Sequence, residues 1–176
     1  MGTAYGRVID YLFSGTITAA ISPMFGQTLK QQLAAVDSNV VLLDNDYTPG
    51  DLFGGNSTVS LGRNNVDTAS ASSRRLFMSL GAFKVEEEFD VPIFIQTRGL
   101  GPTQKSVRDV GVGLLDAVIH FVSQDLTMAG ALVDGRIGAI SDYQFTQTET
   151  ADATTGGALQ TVEIAITLRC QNHYTP

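Results

Sequence analysis

Hydrophobic residues recur every three or four positions in two parts of the chain, and this spacing predicts helices. The first part is Ala4–Val36, where the pattern is interrupted at Ser14–Gly15 and at Ser22–Pro23. Both pairs disfavour a continuous helix, because glycine has more chain entropy to lose and proline cannot donate a backbone hydrogen bond. The second part is Gln104–Leu126, which follows Gly99–Thr103 and carries an apolar stripe. We expect that stripe to lie on a sheet.

Three segments have the hydrophobic pattern of strands. Val40–Leu43 is a short apolar run, which predicts a strand buried on both faces. Val85–Arg98 alternates apolar and polar residues, and Pro92 within it predicts an edge or a locally irregular strand, because proline cannot donate to a ladder. Ile137–Thr148 and Leu159–Cys170 predict a closing hairpin.

Two polar regions separate these elements. Residues 44–75 are rich in Gly, Pro and small polar side chains, which predicts a long loop with a short regular piece near Val59–Leu61. Residues 149–157 form the acidic tip of the predicted hairpin. The fold class that follows is α+β: a mixed, mostly antiparallel sheet with helices on one face, in a single domain over residues 1–176 that begins with a helical region at 1–36.

Charge narrows the classes of function. The 176 residues include 18 acidic and 11 basic side chains, for a net charge of -7. The basic residues are scattered, so the sequence does not predict a surface that wraps DNA or coats an anionic membrane. Residues 1–13 have neither the basic head of a signal peptide nor the length of a membrane span, because Arg7 and Asp10 interrupt them. We expect a soluble protein that is made in the cytoplasm.

Catalytic chemistry finds little support in the residues. His120 is predicted to be a partly buried helix residue, and His173 lies near the end of the sequence in a segment that we expect to be frayed. Cys170 falls on the apolar side of its strand, which predicts an unreactive core thiol. Glu86 and Glu88 share the polar face of a strand, where a solvated or inter-subunit charge row is favoured over a pair of catalytic carboxylates. We therefore predict no catalytic residue and no bound cofactor.

The acids near the start of the predicted loop are the candidates for a metal site. Asp44, Asp46 and Asp51 flank a turn and could offer oxygen ligands to Ca²⁺. Their spacing lacks the downstream acid of a helix-loop-helix calcium site, so we predict no metal. A small ligand-binding or metal-binding domain that uses these three residues remains the alternative from a different class of protein.

From Val40 to Arg169 the chain resembles the tail terminator, also called tail completion, proteins of long-tailed bacteriophages. The resemblance lies in the order of elements: a strand, a long loop, a second strand, a helix opened by Gly99–Thr103, a turn and a hairpin. The turn is Thr127–Gly130, where the family has a Thr-x-Gly-Gly-like sequence and this chain has Ala129 in place of the first glycine. The hairpin ends in Val162–Arg169, with alternating Val and Ile.

The resemblance implies a structural protein of the virion with no enzymatic activity. It implies a six-fold ring of identical subunits that caps the tail tube protein and meets a neck or head-completion protein, while DNA passes through the channel without specific binding. Localisation in the tail or neck of the virion follows, after assembly in the host cytoplasm. A head-completion or stopper connector is the nearest alternative within the same joint.

Loops and edge strands would supply the contacts of such a ring. Arg74–Arg75 is the only adjacent basic pair in the chain, and it could meet a carboxylate of a partner. The candidate interface residues are Asp44, Asp46, Asp51, Arg63, Arg74, Arg75, Glu86, Glu88, Glu149 and Asp152.

Overall fold

The computed structural model describes residues 4–44, 57–62, 71–79, 82–100, 104–132, 136–151 and 157–174. Within these ranges the helices and strands are α1 (Ala4–Ser14), α2 (Leu29–Val36), β1 (Val41–Asp44), β2 (Thr58–Leu61), β3 (Ala71–Ser79), β4 (Ala82–Leu100), α3 (Gln104–Gln124), β5 (Arg136–Ala151) and β6 (Ala158–Tyr174).

The strands form one mixed, mostly antiparallel sheet in the order β1-β2-β4-β6-β5, and β3 pairs with another part of β4. β1 runs parallel to β2, and the remaining pairs are antiparallel. The helices pack on one face of this sheet, and their buried side chains join those of the strands in one hydrophobic core. The predicted fold class is confirmed. No helix in the described ranges combines the length and hydropathy of a membrane-spanning helix.

The N-terminal helical region consists of two helices with a non-helical connector. α1 ends at Ser14, where the sequence predicted a break, and α2 begins after Thr28. Thr28 and Gln31 form a capping box: the Thr28 side chain accepts the Gln31 backbone N–H, and the Gln31 side chain accepts the Thr28 backbone N–H at 2.9 Å. The connector carries Pro23 and a positive φ at Gly26, so residues 15–28 do not extend either helix.

The strand around Pro92 is central, so of the two predicted alternatives the sheet edge is wrong, whereas the locally irregular strand agrees with an interruption in the pairing of one flank. β4 pairs with β6 along nearly its whole length, while its other flank pairs with β3 up to Phe89 and with β2 from Ile93. The carbonyl of Pro92 accepts the N–H of Gly62 at 2.8 Å. The ring nitrogen of Pro92 therefore faces the same flank of β4, in the interval between β3 and β2. No strand there requires a backbone N–H donor from Pro92, so the proline is tolerated.

The apolar row of β4 and the apolar stripe of α3 meet in the core, as predicted. Phe89, Val91, Ile93 and Ile95 are buried on the face that the helices cover. α3 approaches the sheet closely at Gly111. A Cβ added to Gly111 would lie 2.9 Å from a Cγ of Val162 in β6, so only a residue without a side chain allows this spacing.

Other sequence expectations need correction. β3 begins at Ala71, so the last five residues of the predicted loop at 44–75 belong to a strand, because pairing with β4 stabilises a segment of weak strand propensity. The predicted short piece near 59–61 is β2. β1 is buried less completely than predicted, with Leu42 buried and Val41 and Leu43 half-buried, since it lies at the sheet edge.

The chain after α3 turns sharply through residues of positive φ. Met128 and Ala129 have φ of 52° and 53°, and Gly130 follows with 83°. Asp125 holds this turn, because its carboxylate accepts hydrogen bonds from the backbone N–H groups of Thr127 and Ala129. Burial raises the pKa of Asp125, but these bonds and others from hydroxyl groups outweigh it and leave the pKa lowered.

Candidate functional site

A ladder of polar pairs joins β4 and β6 on the face away from the helices. Nε2 of His173 lies 3.0 Å from Oε1 of Glu86, and Nε2 of Gln171 donates to Oε1 of Glu88 at 3.0 Å. Further along the same face, Nε of Arg169 lies 3.2 Å from Asp90. These pairs stand at directly opposite positions in the register, which is where cross-strand side chains interact.

The ladder changes the interpretation of the acids on β4. Glu86 and Glu88 have partners within their own chain, so an inter-subunit charge row is not needed to explain them. In β3, Arg74 is the register partner of Glu86, and Arg75 is the register partner of Val85. The register therefore places Arg74 level with Glu86, one of the acids of β4. A role for these residues at an interface stays a prediction.

In the described part of the chain, three strands have one unpaired flank: β5 on one side of the sheet, and β1 and β3 on the other. β5 forms one edge, and in the described part of the chain it pairs with β6 alone. Residues 143–150 of β5 are all exposed, including Tyr143 at 57% and Phe145 at 40%. Their side chains stay exposed because α3 contacts mainly β4 and β6. β1 forms the opposite edge and pairs, among the described residues, with β2 alone.

The part of β5 over residues 143–148 lacks the usual protections of an edge strand, although charged residues flank it and the register of β5 is irregular before Asp142. Residues 143–148 contain no lysine, proline or charged side chain, and the register of β5 with β6 has no irregularity after Asp142. Natural proteins usually blunt long edges with such features, because an open edge can pair with another chain. Sequence reasoning predicted the strand but missed this edge. The absence of charge and proline over residues 143–148 was the available signal.

Several predicted interface residues lie in or near these edges. Asp44 is exposed at the end of β1, and Glu149 is exposed in β5. Burial, and secondarily the charge of Asp44, raises the pKa of Tyr5, whose hydroxyl donates to the Gly62 carbonyl at 3.2 Å. The predicted residues that lie outside the described ranges are Asp46, Asp51, Arg63 and Asp152.

The described residues do not assemble a metal or nucleophile site. No group of three or more His, Cys, Asp or Glu side chains in the described ranges could hold a metal ion. Cys170 is fully buried, and burial, with a smaller effect of Asp90, raises the pKa of its thiol to about 12. The prediction of a core thiol at this position is confirmed. The expected fraying near His173 is wrong, because β6 continues to Tyr174 and His173 meets Glu86.

A groove of about 580 Å³ lies between α2 and α3. His120 contributes to its wall and is exposed, so the prediction of a partly buried helix residue is wrong in its burial. Asp116 and Gln32 also line the groove, and neither amide atom of the buried Gln32 has a hydrogen-bond partner among the residues that the structure describes. One histidine and one carboxylate, with glutamines and small or apolar residues around them, do not make the arrangement of nucleophile, base and acid that catalysis requires.

Comparison with known proteins gives structural likeness but no family. No protein-family model matches the sequence, and no curated protein matches it either. A solved chain from the virion of a native gene transfer agent particle is similar with 15% sequence identity and a TM-score of 0.25. The match covers 82% of this chain and 92% of that one.

Proposed function

We propose that this protein is a structural component of a phage-like virion that forms a six-fold ring, caps the tail tube and joins the tail to the neck. The observation that carries the proposal is that β5 and β1, on opposite sides of one subunit, each have a flank that pairs with no other described strand. Two different edges that face opposite ways allow head-to-tail contacts, and such contacts close into a ring when the rotation between copies is right.

The order of elements supports the same proposal. β4, α3, the turn at Thr127–Gly130 and the β5–β6 hairpin follow one another as the resemblance to tail terminator proteins requires. The turn also has the geometry that a glycine-containing sequence would favour, because Ala129 adopts a positive φ. The backbone at Ala129 is therefore compatible with the glycine that the family has at this position.

The proposed partners are further copies of the chain, the tail tube protein on one side of the ring and a neck or head-completion protein on the other. DNA would pass through the channel without being bound specifically. The protein would reside in the virion after assembly in the host cytoplasm.

Electron microscopy and native mass spectrometry of the purified protein, alone and mixed with tail tubes, test the proposal. We expect closed rings, or tubes whose growth stops when the protein is added and whose ends carry an added layer of density. Tubes grown without the protein provide the control. A protein that stays monomeric, leaves tube growth unchanged and binds no neck protein would refute the proposal.

A further inference from the structure

The two lateral edges of the sheet lie at the same height on the subunit. By the strand registers, Val41 at the start of β1 is level with Thr146 of β5. The Cα partners that lead across the sheet from Asp44 are, in order, Leu61, Ile93, Ile166 and Tyr143. Copies in a closed ring are related by rotation without rise, so edges that meet in a ring must match in height when the strands follow the ring axis.

The directions of the two edge strands are also compatible. β1 runs antiparallel to β4, because it is parallel to β2 and β2 is antiparallel to β4. β5 runs parallel to β4, because two antiparallel steps through β6 separate them. Rotation about an axis along the strands preserves direction. β5 of one copy would therefore meet β1 of the next in the antiparallel arrangement, which a sheet edge accepts readily.

Hydrogen bonds within the sheet fix which backbone groups of β5 point outward. Gly62 donates to the carbonyl of Pro92, so Pro92 directs its backbone groups toward β2 and Ile93 directs its own toward β6. The register pairs Ile93 with Ile166 and Ile166 with Tyr143. Because ladder bonds alternate from row to row, Tyr143 directs its N–H and carbonyl away from β6, out of the sheet. Phe145, two positions along, does the same.

The outward backbone groups of β1 fall in the same rows. Val41 donates its N–H to the carbonyl of Ser57 at 2.9 Å, so its backbone groups face β2. The alternate residues Leu42 and Asp44 direct theirs away from the sheet. Asp44 is level with the outward-facing Tyr143, so donors and acceptors of the two edges would meet in register.

We infer that β5 of one copy pairs antiparallel with β1 of the next, with Tyr143 opposite Asp44 and Phe145 opposite Leu42 of that copy. The inference rests on the ring in the proposed function and names the contact that closes it. Phe145 is level with Ile164, and Leu42 is level with Val59, and both of these partners lie on the helix-covered face. The pairing continues the apolar layer from one subunit to the next, and it covers the exposed aromatic side chains of β5.

Disulfide trapping tests this register directly. Leu43 and Gln144 would be opposite each other in a row whose backbone groups point inward on both strands, where side chains of antiparallel pairs approach most closely. The double variant Leu43→Cys with Gln144→Cys should form, on mild oxidation, a ladder of cross-linked species that ends at the ring. The single native Cys170 is buried and contributes little background.

Two controls isolate the proposed contact. The pair Leu43→Cys with Phe145→Cys places the thiols on opposite faces, so we expect about tenfold less cross-linking than for the matched pair. Mixing the two single variants Leu43→Cys and Gln144→Cys should stop at dimers, since each chain then carries one reactive site. Cross-linking of Gln144→Cys alone would show β5 against β5 and would overturn the inference.

Failure of the inference can be told apart from failure of the proposed function. If rings assemble and cap tubes but the matched cysteine pair forms no disulfide, the proposed function stands and the proposed contact between β5 and β1 is overturned. A protein that forms no rings, alone or on tubes, would overturn both. As a second measurement, Phe145→Glu should abolish rings while circular dichroism shows that the monomer stays folded, because Phe145 is 40% exposed in the isolated subunit and lies outside the buried core. Intact rings from this variant would contradict the pairing.

Discussion

Ala129 occupies a backbone conformation that costs an alanine free energy. Its φ of 53° lies in the left-handed region, which disfavours residues with a side chain by about 1–2 kcal/mol. A glycine at position 129 would avoid this cost, although the extra entropy that glycine loses on folding offsets part of the gain in stability. We predict that Ala129→Gly raises the free energy of unfolding by about 0.5–1 kcal/mol, measured by urea denaturation.

A matched control is available in α2. Ala35 is exposed and helical, so Ala35→Gly should lower stability by about 1 kcal/mol. If both substitutions destabilise the protein equally, the strain at the turn after α3 is not real.

Tyr11 carries a hydroxyl for which the described residues provide no hydrogen bond. The side chain is buried against Phe121, with ring centroids 5.6 Å apart, and no described group lies within hydrogen-bond distance of the hydroxyl oxygen. Burial, followed by the charge of Asp125, raises the pKa of Tyr11 to about 12. Tyr11→Phe keeps the ring contact and removes the unsatisfied group, so we predict about 1 kcal/mol of added stability at neutral pH.

The raised pKa of Tyr11 also predicts how folding stability changes at alkaline pH. The folded-state pKa of Tyr11 lies above its ordinary value of 10.0, so ionisation favours the unfolded chain. The part of the folding stability that comes from keeping the Tyr11 hydroxyl neutral in the folded protein is complete below pH 10. It is lost as the pH rises toward 12. Urea unfolding measured across this range should show a shallower decline in stability for Tyr11→Phe than for the parent protein. Identical slopes would contradict the assigned burial of the hydroxyl.

Two glycines of α3 test how the helix packs at the scale of elements. A Cβ on Gly111 would meet Val162, which is fully buried in β6 and cannot move aside. A Cβ on Gly113 would meet Val36, which is 39% exposed at the end of α2 and can rotate away. Gly111→Ala should therefore destabilise by about 1–2 kcal/mol despite the higher helix propensity of alanine.

Gly113→Ala serves as the comparison, because it gains the same propensity without a fixed neighbour. We expect it to be neutral or to stabilise by up to about 1 kcal/mol, read from thermal and urea unfolding of both variants. Equal effects from the two substitutions would show that α3 does not contact the sheet at Gly111 as described.

Local pattern accounts for the elements that the sequence predicted well. The stripe of α3 and the alternation in β6 arise from contacts with a single layer, so spacing along the chain was sufficient to find them. β3 could not be found in this way, since Ala71–Ser73 have little strand propensity and gain their conformation from pairing with β4. The edge interpretation of Pro92 failed because a missing N–H requires only a short unpaired interval.

At the scale of the whole molecule, net charge predicts the electrostatic character of the proposed ring. Six copies of a chain with net charge -7 carry a formal charge of -42 around a channel that DNA would cross. Like charge discourages adhesion of the passing DNA. We predict a predominantly acidic channel wall, which a structure of the ring can verify. A lumen lined by Arg63, Arg74 and Arg75 would contradict this prediction.

Fold class followed from the sequence because periodicity reports which face of each element is buried. The candidate site did not follow, since an open edge is a property of strand order, and strand order depends on pairings between distant residues. The acids chosen from the sequence were conspicuous for their charge. Tyr143 and Phe145 were not conspicuous, because their significance comes from the absence of a neighbour beyond β5.

The interval beside Pro92 divides one flank of β4 into two independently bonded halves. β3 ends its pairing at Phe89, and β2 begins at Ile93, so no ladder bond couples them there. Local separation of β3 from β4 would therefore end at Pro92 and leave the hydrogen bonds between β2 and β4 in place. Amide hydrogen exchange should reveal two separate opening events, with β3 exchanging as its own cooperative unit well before the protons of β2.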